Sequence, residues 1–273
     1  MLKHILFCIA FLPVVLLAQM PSGGICAHQG DNENFPNNTV PAFVSAVKLG
    51  AAMVEFDIQR CKTGELVIFH DRTVDNLTDG TGRIRDLTFD EVRKLKVLKK
   101  RRPEVAPAQI PTFQEVLDCL PRDGVWLNVH VSGGAALECA RILEKDGRLH
   151  QAFLATSLSM VPKLRQQTPG IRICNMSRTG KWSEEWTSEQ HRKYAQQTVE
   201  NKCEFIQLIK RCPPEEIKYL HDNGVKVSFM GCNDPAQVKS LLKLGVDFIL
   251  TDRLTTVKAA YDKAKAELEA QQP

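Results

Sequence analysis

The stretch Met53-Val54-Glu55-Phe56-Asp57-Ile58 alternates apolar and acidic residues, which is the pattern of a β-strand with two different faces. Successive side chains of a strand point to opposite sides. The apolar residues are therefore predicted to pack against helices. Glu55 and Asp57 are predicted to face together into the other side of the strand.

Seven further short runs rich in β-forming residues occur along the chain, and helical patterns follow most of them. This alternation indicates an α/β protein whose parallel sheet is wrapped by crossover helices. Eight strands would close a (β/α)8 TIM barrel, with Glu55 and Asp57 at its mouth. The predicted strands are Gly24–Ala27, Met53–Ile58, Val125–Val131, Phe153–Ala155, Arg172–Asn175, Phe205–Leu208, Lys226–Met230 and Phe248–Thr251.

The predicted helices have recognisable ends, because proline is favoured in the first turn of a helix and glycine just beyond its last. They run from Pro41 to Gly50, from Pro213 to Gly224, from Asp234 to Gly245 and from Thr255 towards Lys265.

The second strand departs from the alternation. Only a short turn separates Ile58 from Leu66, too short for a parallel crossover. Leu66 to Phe69 should therefore fold back as a hairpin arm that delivers His70 and Asp71 to the rim. Residues 72–111 then form an insertion over the barrel mouth, in which Thr88 caps a short helix.

Residues 1–19 have the pattern of a signal peptide: a basic start, an apolar run from Ile5 to Leu17 and a small residue at the expected cleavage site. An uncleaved anchor is the alternative, although the run is short for a membrane span. We expect an exported protein, periplasmic or extracellular, with no transmembrane helix in its mature chain. Residues 20–273, about 255 in number, suit one barrel domain.

The charge balance gives little sign of a macromolecular partner. Lys and Arg number 36 and Asp and Glu number 32, for a net charge of +4, an excess too small to indicate a nucleic-acid partner. No obligate protein partner is indicated either. One basic cluster is either a solvated loop or a surface for an anionic substrate or lipid; it comprises Lys94, Lys96, Lys99, Lys100, Arg101 and Arg102.

The cysteines give no motif. Of the nine, Cys8 lies in the predicted signal segment. The spacings of the other eight do not define disulfide pairs, and no CxxC motif is present to indicate a zinc knuckle or a thioredoxin-type site. Cys26 and Cys232 are predicted to be buried packing residues.

Two carboxylates on one face of a buried strand are costly unless a cation lies between them. Glu55 and Asp57 therefore indicate a divalent metal site, unless Arg60 or Lys62 neutralises them from the rim. His28 follows the first strand and His70 follows the hairpin arm. Histidine titrates near neutrality, so two of them beside a metal can take and give protons.

These residues lie in motifs that resemble the glycerophosphodiester phosphodiesterase family, whose relatives include the phosphatidylinositol-specific phospholipases C. The similarity extends from Ala27 to Asp252. It implies a (β/α)8 barrel, a divalent ion (Ca or Mg), catalytic His28 and His70, metal-binding Glu55 and Asp57, and a small-molecule phosphodiester substrate. The motifs are Ala27-His28-Gln29-Gly30, Pro36-Asn37-Asn38-Thr39 with Ala42-Phe43, Glu55-Phe56-Asp57, His70-Asp71, Ile110-Pro111-Thr112-Phe113-Gln114-Glu115-Val116-Leu117 and Thr251-Asp252.

Five positions depart from the family pattern, all expected on the substrate side. His130 and Ser132 replace a carboxylate and a lysine, Gln29 replaces an arginine, Asn37 a glutamate and Met230 a tryptophan. Two strong phosphate binders are thereby lost. If His130 binds the metal, the preference moves towards Mn or Zn; the alternative is that His130 only packs at the rim.

Replacement cations are available at predicted strand ends. Arg178 and Lys181 follow the fifth strand beside Trp182, and Arg253 follows the eighth. Each is either a substrate-binding residue or a solvated loop residue. Trp182 could form a stacking wall for a sugar or an apolar group.

Three hypotheses about function follow. The leading one is metal-dependent cleavage of a phosphodiester, with acid and base catalysis by His28 and His70. The second is the same site acting on an uncharged sugar or glycoside by hydrolysis or elimination, which the lost arginine and lysine favour. The third is a non-catalytic exported binding protein, against which the retained histidines and carboxylates argue.

Overall fold

A computed structural model describes residues 19–100 and 102–271. Its central sheet contains eight parallel strands that close into a barrel, as predicted, because the first strand pairs with both the second and the last. The strands of the barrel are β1 (Gly24–Ala27), β2 (Met53–Arg60), β6 (Trp126–His130), β7 (Ala152–Thr156), β8 (Arg172–Asn175), β9 (Phe205–Leu208), β10 (Lys226–Met230) and β11 (Phe248–Thr251). Nearly all of the predicted signal segment lies outside the described residues, so export stays a prediction.

The helices surround the barrel. Within the described residues they are α1 (Val40–Lys48), α2 (Phe89–Lys94), α3 (Phe113–Cys119), α4 (Gly134–Lys145), α5 (Val161–Gln167), α6 (Ser188–Glu200), α7 (Pro214–Asp222), α8 (Val238–Leu244) and α9 (Leu254–Glu269), with short 3-10 turns at Ile84–Asp86, Leu158–Met160 and Pro235–Gln237. The part of the chain that the structure describes has no helix with both the length and the apolarity needed to cross a bilayer.

The helix ends follow local sequence. Thr88 caps α2 as predicted, and its side chain accepts a hydrogen bond from the backbone of Glu91. Asp234 likewise accepts from Ala236, although the first turn that it caps is 3-10 rather than α-helical. The last helix extends further than predicted, to Glu269, and an ion pair between Lys258 and Asp262 four residues apart supports it.

Alternation along the strands divides the apolar residues into two layers. Val54, Phe56 and Ile58 belong to the core between the barrel and the helices, as predicted. The interior of the barrel holds a separate cluster of Cys26, Met53, Phe153, Ala155, Cys174, Phe205, Phe248 and Leu250. Cys26 and Cys232 are buried, and all eight cysteines in the described ranges are free thiols.

The hairpin arm is present as predicted: β3 (Leu66–Ile68) pairs antiparallel with β2. The insertion that follows contains a small ladder of β4 (Lys96–Val97) and β5 (Ala108–Gln109). It packs on the arm through a third apolar cluster: Cys61, Val67, Phe69, Val74, Ile84, Val92, Val97 and Ile110. This cluster holds the insertion against the edge of the barrel.

The basic cluster is partly structural. The Nζ atom of Lys99 donates to the backbone carbonyl of Asn32 and to Oδ1 of Asn37. Arg102 donates to the carbonyl of Glu33 at 2.9 Å. The insertion is thus joined to the loop that follows β1, an outcome that neither sequence interpretation anticipated.

That loop also depends on Gly30. Its φ is +81°, and an added Cβ would lie 2.7 Å from the backbone carbon and 2.8 Å from the Cβ of Ala42 in α1. Gly64 provides a comparison, since its φ is +112° but an added Cβ would meet nothing within 4 Å.

Replacing Gly30 with alanine should therefore lower the free energy of unfolding by about 2 to 5 kcal/mol, the sum of a positive-φ cost and overpacking against α1. Gly64→Ala, which has only the conformational cost, should lose about 1 to 2 kcal/mol. Urea unfolding of both variants is the measurement. Equal losses would show that the contact between Gly30 and α1 is not tight.

Candidate functional site

Glu55 and Asp57 face the barrel mouth, as predicted. Glu55 is fully buried. Its Oε2 atom accepts from the backbone N–H of Gln29 at 3.0 Å, whereas Oε1 has no hydrogen-bond partner. The Oδ2 atom of Asp57 accepts from the amides of Gln29 and Asn38 at 3.0 and 2.9 Å. One oxygen of each carboxylate is thus held by hydrogen bonds, and the other oxygen remains available to a ligand.

The rim cations do not neutralise this pair. Arg60 forms an ion pair with Glu138 at 2.6 Å and donates to the carbonyl of Gly64 at 2.7 Å. Lys62 lies near Glu91 of the insertion, where its charge helps to lower the pKa of that carboxyl. The alternative in which Arg60 or Lys62 balances the two carboxylates is therefore wrong.

His130 completes the group. It ends β6 opposite Asp57 in the parallel register. Its Nδ1 atom lies 3.1 Å from Oε1 of Glu55 and 3.9 Å from Oδ1 of Asp57. Its Nε2 atom lies 3.1 Å from the amide oxygen of Gln207. When Nε2 donates its hydrogen to this amide oxygen, the lone pair of Nδ1 faces the carboxylates.

This arrangement fits a cation. Burial lowers the pKa of His130 well below its usual range, so its ring is neutral and can bind a metal. Burial, and then the charge of Asp57, raise the pKa of Glu55. One ligand atom each from Glu55, Asp57 and His130 lie within 4.8 Å of one another. A divalent ion would partner the bare Oε1 of Glu55 and the lone pair of His130 together.

His28 lies beside this group and is paired with a carboxylate that the predicted site residues did not include. Its Nδ1 atom is 2.6 Å from Oδ1 of Asp252, and its Nε2 atom is 3.9 Å from Oε2 of Glu55. Asn32 and Asn233 donate to the Asp252 carboxylate at 2.7 and 2.8 Å. The Thr251-Asp252 motif could have indicated this carboxylate. Asp252 follows β11 and His28 follows β1, and these two strands are parallel neighbours.

The pairing controls the charge of His28. Burial acts to lower the pKa of His28, but the hydrogen bond to Asp252 and the charge of Glu55 outweigh it and raise the pKa to about 9. The same hydrogen bond outweighs the burial of Asp252, whose pKa lies far below its usual range. His28 is therefore an imidazolium at neutral pH.

His70 is the second histidine at the mouth. Its side chain is 55% exposed, and Nδ1 lies 2.8 Å from Oδ1 of Asp71. The amide of Gln59 donates to the backbone carbonyls of Phe69, His70 and Asp71 and so fixes the turn. The two histidines flank β2, because β1 and β3 both pair with it.

Asp57, His70 and His130 line one open cleft with a volume of about 420 Å³. The cleft thus brings together three of the five residues predicted to catalyse or bind metal. Its wall also includes Arg72, Ser132, Ser157 and Met176.

Gln29 and Asn37, which are predicted to contact the substrate, form a hydrogen-bonded chain to Asp57. Gln29 is 4% exposed, and its backbone φ is +56°. Its amide donates to Asp57, and its Oε1 atom accepts from Asn37 at 2.8 Å. The two amides therefore position the Asp57 carboxylate, because the turn at Gln29 directs its side chain inward.

Arg178 is a cation near the cleft. It donates to the sulfur of Met176, which lines the cleft, and its charge contributes to the low pKa of His130. Its buried Nε has no hydrogen-bond partner. No ion pair is formed by Arg178 within residues 19–100 and 102–271. Among the described residues, no carboxylate therefore balances its charge.

Among the described residues, the other predicted substrate residues form no hydrogen bond or ion pair with Glu55, Asp57 or His130, and their role in binding stays a prediction. Lys181 pairs with Glu184 at 2.9 Å and is 77% exposed, and Trp182 is 56% exposed on the same loop. Arg253 lies 3.5 Å from a carboxylate oxygen of Glu33. Met230 is half-buried and packs on the apolar cluster inside the barrel.

The sequence of this chain matches a known protein family. Residues 28–256 match the glycerophosphoryl diester phosphodiesterase family. A glycerophosphodiester phosphodiesterase of Caldanaerobacter subterraneus subsp. tengcongensis is 28% identical over 235 residues, 84% of this chain and 93% of that protein. Glycerophosphodiester phosphodiesterase 1 of Mus musculus is 41% identical over 119 residues, 42% of this chain and 36% of that protein.

Solved structures show the same fold. A phosphodiesterase of Oleispira antarctica, solved in complex with the product sn-glycerol-3-phosphate, superposes with a TM-score of 0.71 and 20% sequence identity, covering 88% of this chain and 96% of that chain. The fold, the ordered motifs and a family match over most of the length agree. The chain belongs to the glycerophosphoryl diester phosphodiesterase family, whose members are phosphoric diester hydrolases.

Proposed function

We propose that the protein is a metal-dependent glycerophosphodiester phosphodiesterase with acid and base catalysis by His28 and His70. The observation that carries the proposal is a buried group of two carboxylates and one neutral imidazole, flanked by two histidines that each have a carboxylate partner. Family membership supports the substrate class.

Glu55, Asp57 and His130 would hold one divalent ion, which when bound supplies electrostatic stabilisation of the charge that develops on the phosphoryl oxygens. The set contains one nitrogen donor. Imidazole suits Mn and Zn better than Ca or Mg, which favour oxygen-only sites. Gln207 orients the ring of His130 through its Nε2 hydrogen.

The two histidines differ in their starting charge. His28 is protonated because of Asp252, so it is suited to donate its Nε2 proton to the oxygen of the leaving alcohol. His70, held by Asp71, would accept the proton of the nucleophile, which is an adjacent hydroxyl of the substrate or a water molecule. Each carboxylate partner keeps its ring in one orientation.

Arg178 supports a phosphodiester rather than a neutral substrate. The lost arginine and lysine motivated a sugar as the alternative, but a guanidinium without an ion pair lies near His130. Such a group matches phosphate in charge and in geometry. Neither the neutral-sugar hypothesis nor the non-catalytic hypothesis has a comparable observation in its favour.

His28→Ala and His70→Ala should each lower kcat for glycerophosphocholine by about 10² to 10⁴, the usual contribution of a positioned acid or base. Both should still bind metal by titration calorimetry, since neither ring belongs to the metal-binding group. His150→Ala is the control, because this exposed ring bonds only to the carbonyls of Gly147 and Arg122. Unchanged hydrolysis in both variants, across several phosphodiesters, would exclude two-histidine catalysis.

Asp252→Asn should lower kcat by about 100-fold with little change in KM, because an amide neither charges nor orients His28 as the carboxylate does. The raised pKa of His28 predicts that activity falls at alkaline pH, where His28 loses the proton that it donates. In the variant this alkaline limb should move to lower pH. The measurement is a pH profile of kcat, with Asp262→Asn on α9 as the control. An unmoved limb would contradict the assignment of His28 as the acid.

His130→Glu should move the metal preference from Mn or Zn towards Ca or Mg by roughly tenfold or more, because the donors become all oxygen. Activity with each ion supplied separately to metal-stripped protein is the measurement. Glu55→Ala should remove turnover with every ion. An identical order of preference in wild type and His130→Glu would show that His130 does not bind the ion.

A further inference from the structure

A second groove adjoins the candidate active cleft. It has a volume of about 590 Å³ and is lined by Gln59, Arg72, Thr73, Arg83 and Arg85. Gln59 and Arg72 also line the cleft that contains Asp57, His70 and His130. The two spaces therefore share a wall, which lies beside His70.

The insertion brings the three arginines together. Arg72 directly follows His70-Asp71, and an antiparallel bridge between Thr73 and Arg83 returns the chain to the same place. Ile84 is completely buried, whereas Arg83 and Arg85 on either side of it are exposed. Burial of Ile84 thus fixes the turn that presents its two neighbours to the groove.

The charge of the groove is largely unbalanced. Among the described residues Arg72 and Arg83 have no ion pair, and the sole carboxylate paired with Arg85 is Asp86, at 3.8 Å with both side chains well exposed. The groove lining contains no acidic residue. Asp71, the acidic residue directly before Arg72 in the sequence, is paired with His70. Three guanidinium groups therefore face solvent beside the reaction centre.

Guanidinium groups bind carboxylates and phosphates through paired N–H donors. The scissile phosphate has its own place at Glu55, Asp57 and His130, so an anion in the groove would be a second one on the same molecule. We propose that this groove recognises an additional acidic group on the substrate, so that the enzyme prefers glycerophosphodiesters that carry a second carboxylate or phosphate.

This inference rests on the proposed function. An uncharged substituent or a choline ammonium would gain nothing from the groove. A second acidic group would gain one or two exposed ion pairs.

The test compares substrates in matched pairs. Glycerophosphoserine differs from glycerophosphoethanolamine by one carboxylate, and bis(glycerophospho)glycerol differs from glycerophosphoglycerol by one phosphodiester. Wild-type kcat/KM should be about three- to tenfold higher for the more acidic member of at least one pair, the range expected for exposed ion pairs. The preference should weaken as ionic strength rises. The pair that shows it identifies the anion as carboxylate or phosphate.

The double variant Arg83→Ala/Arg85→Ala should abolish the preference and leave kcat/KM for the less acidic members within about twofold. Both side chains are exposed, and thermal unfolding checks that the fold is kept. Arg141→Ala, which removes an exposed arginine from α4, is the control and should keep the preference. No preference in either pair, or a preference that survives the double variant, would overturn the inference.

A failure of the proposed function is distinguishable. If wild type cleaves none of the four diesters, the proposed function fails, and calorimetric titration with the same four compounds still tests the groove. Tighter binding of the acidic member, lost in the double variant, would support the inference. Equal affinity within both pairs would overturn it.

Discussion

The placement of two carboxylates on one face of a buried strand is the constraint on which the site depends. Glu55 and Asp57 lie two residues apart on β2, and the desolvation of two like charges must be offset locally. The backbone of Gln29 and the amides of Gln29 and Asn38 offset part of it, and they leave one oxygen of each carboxylate available. The neutral ring of His130 faces that space. A divalent cation would satisfy all three groups together.

The barrel brings the residues of the candidate site together. Parallel strands end at the same rim, so β1, β2, β6 and β11 place His28, Asp57, His130 and Asp252 around one opening. The antiparallel return of β3 then adds His70 from the other side of β2. The barrel therefore supplies His28 with its carboxylate partner, and the hairpin supplies His70 with another.

The insertion has a structural and a chemical role. Its apolar cluster and the bonds from Lys99 and Arg102 hold it against the barrel and the loop after β1. The same segment carries Arg72, Arg83 and Arg85 into the groove beside His70. These arginines lie on an irregular segment, outside the barrel strands that carry Glu55, Asp57 and His130.

The sequence by itself determined the barrel, the hairpin and the direction of Glu55 and Asp57, because strand alternation and helix caps are encoded over a few neighbouring residues. His28, His70 and His130 could be found because each lies at a predicted strand or hairpin end. Only the tertiary structure decided the hydrogen-bond partners of the histidines. Asp252, the partner of His28, lies 224 residues away along the chain, and Gln207, the partner of His130, lies 77 residues away. The tertiary structure also decided that Gln29 turns inward to Asp57 and that Arg83 returns beside Arg72. These contacts arise from closure of the barrel and from packing of the insertion, for which a linear pattern carries no distance information.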